Sequence, residues 1–250
     1  MLTKEELRQI SKTTGFSMYQ QEKDYIQSIA LYHIYRSIGK ELVFKGGTAL
    51  QKVYGLNRFS EDLDFTKNGE IDISLLLEKM LVGLRHYGIE CELKKEKQQF
   101  EFSTRYKIKA KGPLYSGDIS SVFIRFEVSE REKTILEPAM RNIFPPYYDI
   151  PNFSLAAMKP AEILAEKVRA LFTRDKARDI YDLWFLLNKK TEINYQLIGK
   201  KLDYYGLKYS KTLFVKKLNS AASSWDQELS ILLPSIPPFT EVKDYLMGQF

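Results

Sequence analysis

Helical spacing runs through residues 5–38, where Ile26, Ile29, Ala30, His33, Ile34 and Ile38 fall on one face and Gly39 stands where a helix would stop. Leu42-Val43-Phe44 then reads as a short buried strand. It leads directly into Gly46-Gly47-Thr48 and a helical run from Ala49 to Tyr54, with Thr48 as N-cap and Gly55 as stop. From Phe59 to Thr66 the period changes to two: Leu63 and Phe65 point one way, Ser60, Asp62, Asp64 and Thr66 the other, which predicts a half-buried strand. Ser74 to Gly88 returns to helical spacing, with Leu77, Met80, Leu81 and Leu84 on its apolar side. Three strands are expected next, Ile89 to Lys94, Phe100 to Lys109 and Val122 to Val128, separated by lysine-rich or Gly/Pro turns. Pro145, Pro146 and Pro151 break the pattern. Beyond them the chain reads as almost wholly helical, with Leu155 to Phe172, Ala177 to Asn188, weaker runs to about Leu232 and a short final helix after Pro234, Pro237 and Pro238.

This order predicts an α+β protein of two domains, residues 1–150 forming a mixed unit with a helical lead-in and residues 151–250 a helical bundle. Composition narrows the chemistry. With 44% hydrophobic and 28% charged residues, the 250-residue chain is that of a globular protein with little room for long disorder. The N-terminal segment is charged and no run approaches the roughly 20 apolar residues that cross a bilayer, so a cytoplasmic protein without membrane contact is expected. Cys91 is the only cysteine, which excludes an internal disulfide and a cysteine-based zinc cluster. His33 and His86 are the only histidines, so metal chemistry must rest on carboxylates. The net charge of +6 favours an anionic partner, nucleotide or nucleic acid, although many basic proteins bind neither.

Residues i and i+2 of a strand share a face, so Asp62 and Asp64 present two carboxylates to one spot. A divalent cation with hard oxygen ligands, Mg²⁺ or Mn²⁺, would relieve their repulsion. A bare Asp-x-Asp is more often a solvated polar face, and the context is what shifts the reading. The Gly46-Gly47 turn ahead of a helix lets backbone N–H groups approach phosphates, and Thr48 offers a hydroxyl. On Ile124 to Val128 the apolar residues alternate with Arg125 and Glu127, so a neighbouring strand would put Glu127 beside the aspartates. There it would complete a metal site or take a proton, unless it simply pairs with Arg125 at the surface. Lys167 lies in an apolar-rich helix and Asp179 and Asp182 share a helical face, the pattern of a phosphate-binding lysine held by an acid or of a solvated face laced with ion pairs. Lys94, Lys95, Lys97, Lys107, Lys109 and Lys111 fall among Phe100, Phe102 and Tyr106, a mixture suited to RNA or to a lysine-guarded sheet edge.

Lys-Gly-Gly-Thr-Ala-Leu (45–50), Tyr-Gly (54–55), Arg-Phe-Ser-Glu-Asp-Leu-Asp-Phe (58–65), then Glu-Lys-Val-Arg-Ala-Leu (166–171) and Arg-Asp-Ile-Tyr-Asp-Leu (178–183) together resemble the AbiEii/AbiGii-type toxin family of the nucleotidyltransferase superfamily. The resemblance covers roughly residues 40–190. It implies a nucleotidyltransferase-like mixed sheet flanked by helices, an NTP substrate with Mg²⁺ or Mn²⁺, an acceptor that in some members is tRNA, and a toxin role in abortive infection or a toxin–antitoxin system with a cognate antitoxin protein. Carried over by position, Gly46, Gly47 and Thr48 line the triphosphate pocket, Ser60 lies near the phosphates, Asp62 and Asp64 are metal ligands, Lys167 contacts the nucleotide, and Asp179 is the acid of the second block. Glu127 occupies the strand where superfamily enzymes often keep a third carboxylate. Alternatives are transfer to a protein or small hydroxyl compound, and a non-catalytic nucleotide- or RNA-binding module.

Overall fold

The structure is a computed structural model that describes residues 1–96 and 102–250. Lys97 and Phe100, both expected in a basic aromatic surface, lie outside the described residues. By internal contacts the chain divides into one compact unit of residues 1–54, 59–134 and 138–157 and a second of 55–58, 135–137 and 158–250.

The first unit opens with α1 (Lys4–Thr14) and α2 (Met18–Tyr35). The single lead-in expected from the sequence is thus two helices, because Gly15 at φ +76° stops the first and Ser17 caps the second, each helix starting in a reciprocal Ser/Thr and Glu/Gln capping box. Next come β1 (Leu42–Lys45), α3 (Gly46–Tyr54), β2 (Leu63–Lys67), α4 (Ile73–His86), β3 (Glu90–Lys95), β4 (Ser103–Lys111), β5 (Val122–Ser129), β6 (Ala139–Ile143) and β7 (Phe153–Ala157). Among the described residues they form a seven-stranded sheet in the order β3-β4-β5-β2-β1-β7-β6. Pairing is antiparallel except between β2 and β5 and between β1 and β7.

The period-two pattern decides which sheet face is core. Phe44, Phe65 and Phe126 are fully buried on adjacent strands, with ring centroids 5.3 and 4.7 Å apart. Burying three such rings is among the largest apolar contributions a small core can have. Leu77, Met80 and Leu84 of α4 and Ile26, Ile29 and Ile34 of α2 belong to the same buried cluster.

Three expectations need correction. Helix α3 begins at Gly46, two residues before Thr48, so Thr48 lies inside the helix and caps nothing. Strand β2 begins at Leu63, which leaves Ser60, Glu61 and Asp62 ahead of the ladder. Residues 155–157, read from the sequence as helical, are the end of β7, parallel to β1 through Phe44 and Ala157. Pro160 explains this: proline disfavours helical backbone in the residue before it and is itself suited to the first helical position, so the helix starts there. Because β7 completes the sheet, the units divide after Ala157 instead of near residue 150.

The second unit holds α5 (Pro160–Thr173), α6 (Ala177–Asn188), α7 (Tyr195–Asp203), α8 (Lys211–Ser220), α9 (Trp225–Leu229) and α10 (Phe239–Gln249). Trp225, Phe214, Leu218 and Leu246 are buried in it. Lys201, 1% exposed, reaches Glu162 at 2.8 Å and Glu166 at 3.3 Å. Among the described residues no helix is long and apolar enough to cross a membrane.

Candidate active site

Sheet register fixes the centre of the site. Lys45 of β1 stands opposite Asp64 of β2, Asp64 opposite Glu127 of β5, and Glu127 opposite Arg105 of β4. Residues directly opposed across a pair share a face, so the four side chains make one row running cation, acid, acid, cation. The sequence expectation that a neighbouring strand puts Glu127 beside Asp64 matches this register. The surface pair weighed for Glu127 does not form as expected: its carboxylate takes Arg105 Nε at 2.5 Å, while Arg125 turns to Asp62 at 3.3 Å and Glu96 at 4.0 Å. A directly opposed residue is nearer than one two places along the same strand, which is the physical reason.

Gly46 is the point where β1 turns into α3. Its φ of +74° is one that L side chains rarely adopt, and a Cβ there would stand 2.6 Å from Oδ2 of Asp64. Glycine is therefore required twice over, and the carboxylate lies directly against the start of α3, whose end carries partial positive charge and unpaired N–H groups. Thr48, fully buried, is bonded through its hydroxyl to the Asp62 carbonyl and lies 2.9 Å from Ser60 Oγ. The expectation that Thr48 faces a triphosphate thus meets a hydroxyl already committed to the chain ahead of β2. Gly47 is buried in the first turn of α3.

The residues present suit a hard divalent cation in part. Asp62 and Asp64 supply carboxylate oxygens, the ligands Mg²⁺ and Mn²⁺ take, and Mg²⁺ characteristically uses one or two protein carboxylates with substrate phosphates and water completing its shell. Among the described residues, no three His, Cys, Asp or Glu side chains are arranged as a preformed metal cluster. The three-carboxylate set expected from Asp62, Asp64 and Glu127 is not preformed, since Arg105 and Arg125 draw two of its members aside.

The second charged constellation lies in the helical unit. Lys167 of α5, 6% exposed, reaches Asp179 at 2.9 Å and Asp182 at 2.6 Å, both fully buried on α6. Arg58, 2% exposed, binds Asp182 through two parallel contacts of 2.6 and 2.7 Å, and Arg174 binds Asp179 at 2.8 and 3.1 Å. Burial alone would raise both carboxyls. The adjacent cations outweigh it, so Lys167 and Arg174 hold Asp179 far below the ordinary aspartate range, and Arg58 and Lys167 hold Asp182 below it too. Of the two patterns the sequence allowed, this is the acid-held lysine. Arg58 and Arg174 had no assigned role in the sequence reading, and the only signal was their place at the head of each acidic block.

On the open side of β3, β4 and β5, Lys94, Lys107 and Arg125 stand in one cross-strand row and are exposed. Lys107 Nζ sits 4.3 Å from the ring centroid of exposed Phe123. Lys109 pairs with Asp118 and Lys111 with Glu90, whereas Tyr106 faces the core, 7% exposed. Phe102 is exposed, with Arg131 over its ring. Lys94 and Lys95 lie on the edge strand, where lysine also deters edge pairing.

A family model described as the nucleotidyl transferase AbiEii toxin of type IV toxin–antitoxin systems matches residues 29–245. Among solved structures, the fold is similar to MenT4, a nucleotidyltransferase toxin from Mycobacterium tuberculosis, with TM-score 0.72, 21% identity, and coverage of 100% of this chain and 89% of that one. It is also similar to JHP933 from Helicobacter pylori, with TM-score 0.67, 23% identity, and coverage of 94% and 91%. A third likeness is to a protein from H. pylori titled a nucleotidyltransferase, with TM-score 0.67, 23% identity and coverage of 94% of both chains. No curated protein matches the chain in sequence.

Two outcomes follow for the buried network. Lys167→Ala leaves two buried carboxylates short of a partner while each keeps an arginine, so it should destabilise by about 3 kcal/mol, the lower end for breaking a buried ion pair. Urea unfolding followed by circular dichroism measures this, and a change within experimental error would show that the lysine contributes nothing net. Because the folded-state pKa of Asp179 is depressed, its contribution is fully present above the unfolded aspartate value of about 3.9 and is lost as pH falls below it. The stability gap between wild type and Asp179→Asn should therefore stay constant from neutral pH to about pH 5 and shrink below about pH 4. A gap that widens below pH 4 would contradict this sign.

Proposed function

The chain belongs to the AbiEii family of nucleotidyltransferase toxins of type IV toxin–antitoxin systems, and on that premise we propose that it moves a nucleoside monophosphate from an NTP to a hydroxyl of an RNA such as tRNA, with a divalent cation held by Asp62 and Asp64. The enzyme class, the NTP substrate and the existence of a cognate antitoxin come with the family. The observation that carries the rest is the sheet register that sets Asp64 opposite Glu127, two residues beyond Asp62 and against the start of α3.

Each residue takes a role its surroundings support. Helix α3 starts at two glycines, Gly46 and Gly47, and the N–H groups of this first turn are assigned to phosphate oxygens beside the Asp64 carboxylate. Asp62 and Asp64 offer the oxygens that would hold Mg²⁺ or Mn²⁺, which when bound neutralises charge developing on the leaving pyrophosphate. Glu127 adds a third negative charge beside them, its position fixed by Arg105. Ser60 and Thr48 shape the approach to Asp62. The Lys167 ammonium has three N–H donors, of which two go to Asp179 and Asp182, and we assign the third to the nucleotide. RNA is favoured as acceptor by the exposed row Lys94, Lys107 and Arg125 with Phe123 beside it, which offers cations for backbone phosphates and a ring for a base.

Incubation with each α-³²P-labelled NTP and Mg²⁺, with and without total bacterial RNA, tests the whole reading. Wild type should label RNA, and Asp62→Ala should label it about 100-fold less or worse, the scale of losing one preorganised charge interaction at a reacting centre. Equal labelling by Asp62→Ala would sink the cation assignment. Labelling of protein or small compounds without any need for RNA would sink the acceptor.

A further inference from the structure

The two acids are aimed by different means. Asp64 sits within β2 and is fixed by ladders on both sides, to β1 and to β5. Asp62 stands one residue before β2, and the backbone of Ser60, Glu61 and Asp62 has no ladder to hold it. Side chains of α2 and α3 take the place of a strand. Gln51 Oε1 accepts the Ser60 N–H at 2.7 Å. Gln27 Nε2 donates to the Ser60 carbonyl at 3.1 Å and the Glu61 carbonyl at 2.8 Å, and the Thr48 hydroxyl donates to the Asp62 carbonyl.

We propose that Gln27 and Gln51, the latter anchored through Asp24, are positioning residues that set the direction of Asp62; this rests on the assignment of Asp62 as a cation ligand. The orientation of each amide is forced. Asp24, 6% exposed, only accepts: its Oδ1 takes Gln51 Nε2 and Lys52 Nζ, each at 2.7 Å, and its Oδ2 takes the Tyr147 hydroxyl at 2.7 Å. The NH₂ end of Gln51 must therefore face Asp24, which turns its oxygen to Ser60. Gln27 faces two carbonyls, so its NH₂ must point to them, and its fully buried Oε1 is left without a hydrogen-bond partner among the described residues. A buried acceptor in that state disfavours the fold by itself. The orientation is retained because the same amide closes two open carbonyls of the segment leading to Asp62. Lys23 of α2, pairing with Glu61 at 3.1 Å, adds a further tether.

This network also explains why α2 buries Asp24, Gln27 and Ser28 alongside its apolar residues. An apolar helix face packed on the sheet would need none of them. Gln27 reaches the segment ahead of β2 directly, Asp24 acts through Gln51, and Ser28 bonds the Asp24 carbonyl and Lys52, which itself binds Asp24.

The test uses the purified full-length chain with Gln27→Glu, which is isosteric but turns an oxygen toward two carbonyls, and Gln51→Leu, which removes both amide contacts without adding charge. Hydrogen exchange read at the Ser60 amide and across β4 and β5 reports on the segment directly, and transfer kinetics separate kcat from KM for the NTP. Expected are faster exchange at Ser60 in Gln51→Leu, unchanged protection in β4 and β5, and a kcat about 100-fold lower in both variants, the scale of a 1 Å misplacement. KM should stay within about twofold, because the phosphate-binding groups of α3 are untouched. Unchanged exchange at Ser60, or an unaltered kcat in both variants, would overturn the proposal, as would loss of protection across the whole sheet with kcat and KM failing together. If wild type transfers nothing, the function reading fails by that result, and exchange at Ser60 still decides whether Gln51 fixes the segment.

Discussion

Two carboxylates directly opposite each other on neighbouring strands repel, and the surroundings of Asp64 and Glu127 answer that repulsion. Lys45 and Arg105 stand at the two ends of the same cross-strand row, so the acids are flanked by cations on both outer sides. Asp64 presses its carboxylate over a glycine at the positive end of a helix, where no side chain keeps it away. Glu127 is drawn toward Arg105. Asp62 lies just ahead of this row, paired with Arg125, and a divalent cation is the partner proposed for the two aspartates.

The acids gain their fixed geometry from two kinds of scaffold. A strand between two others is rigid because its backbone groups are paired on both sides, and Asp64 inherits that rigidity. Asp62 depends on buried side-chain amides and a hydroxyl instead. In the helical unit Lys167 is held by two carboxylates, each of which has an arginine of its own. Each of these groups is thus placed by neighbouring elements and not by its own backbone alone, the kind of fixed geometry that preorganisation uses.

The period-two stretch at Leu63 to Thr66, the glycine pair and the amphipathic α4 were legible in the sequence because each is a local pattern with one structural solution. Helix α6 was legible from end to end. The polar face shared by Arg125 and Glu127 was legible from the alternation along β5, but the register that sets Glu127 opposite Asp64 belongs to the sheet order and was not. What escaped was set by tertiary context. The polar α2 residues look like a solvated stripe until the segment they brace is known. Strand β7 carries no polar alternation, its last three residues all being buried, and β6 is a short edge strand with exposed Met140, Arg141 and Asn142. Arg58 reads as part of the aspartate block, whereas its side chain is bound to Asp182, 124 residues further along the chain.

Manganese binding read by electron paramagnetic resonance, with a non-hydrolysable NTP analogue present, addresses the Asp62 and Asp64 pair most directly because it needs no acceptor and no turnover. Wild type should take up Mn²⁺ together with the nucleotide, and Asp64→Asn, which removes one charge while keeping the side chain's size against Gly46, should weaken that uptake by about tenfold or more, as for a lost interaction that holds a metal in place. Equal Mn²⁺ uptake by wild type and Asp64→Asn would contradict a cation held by this acid pair.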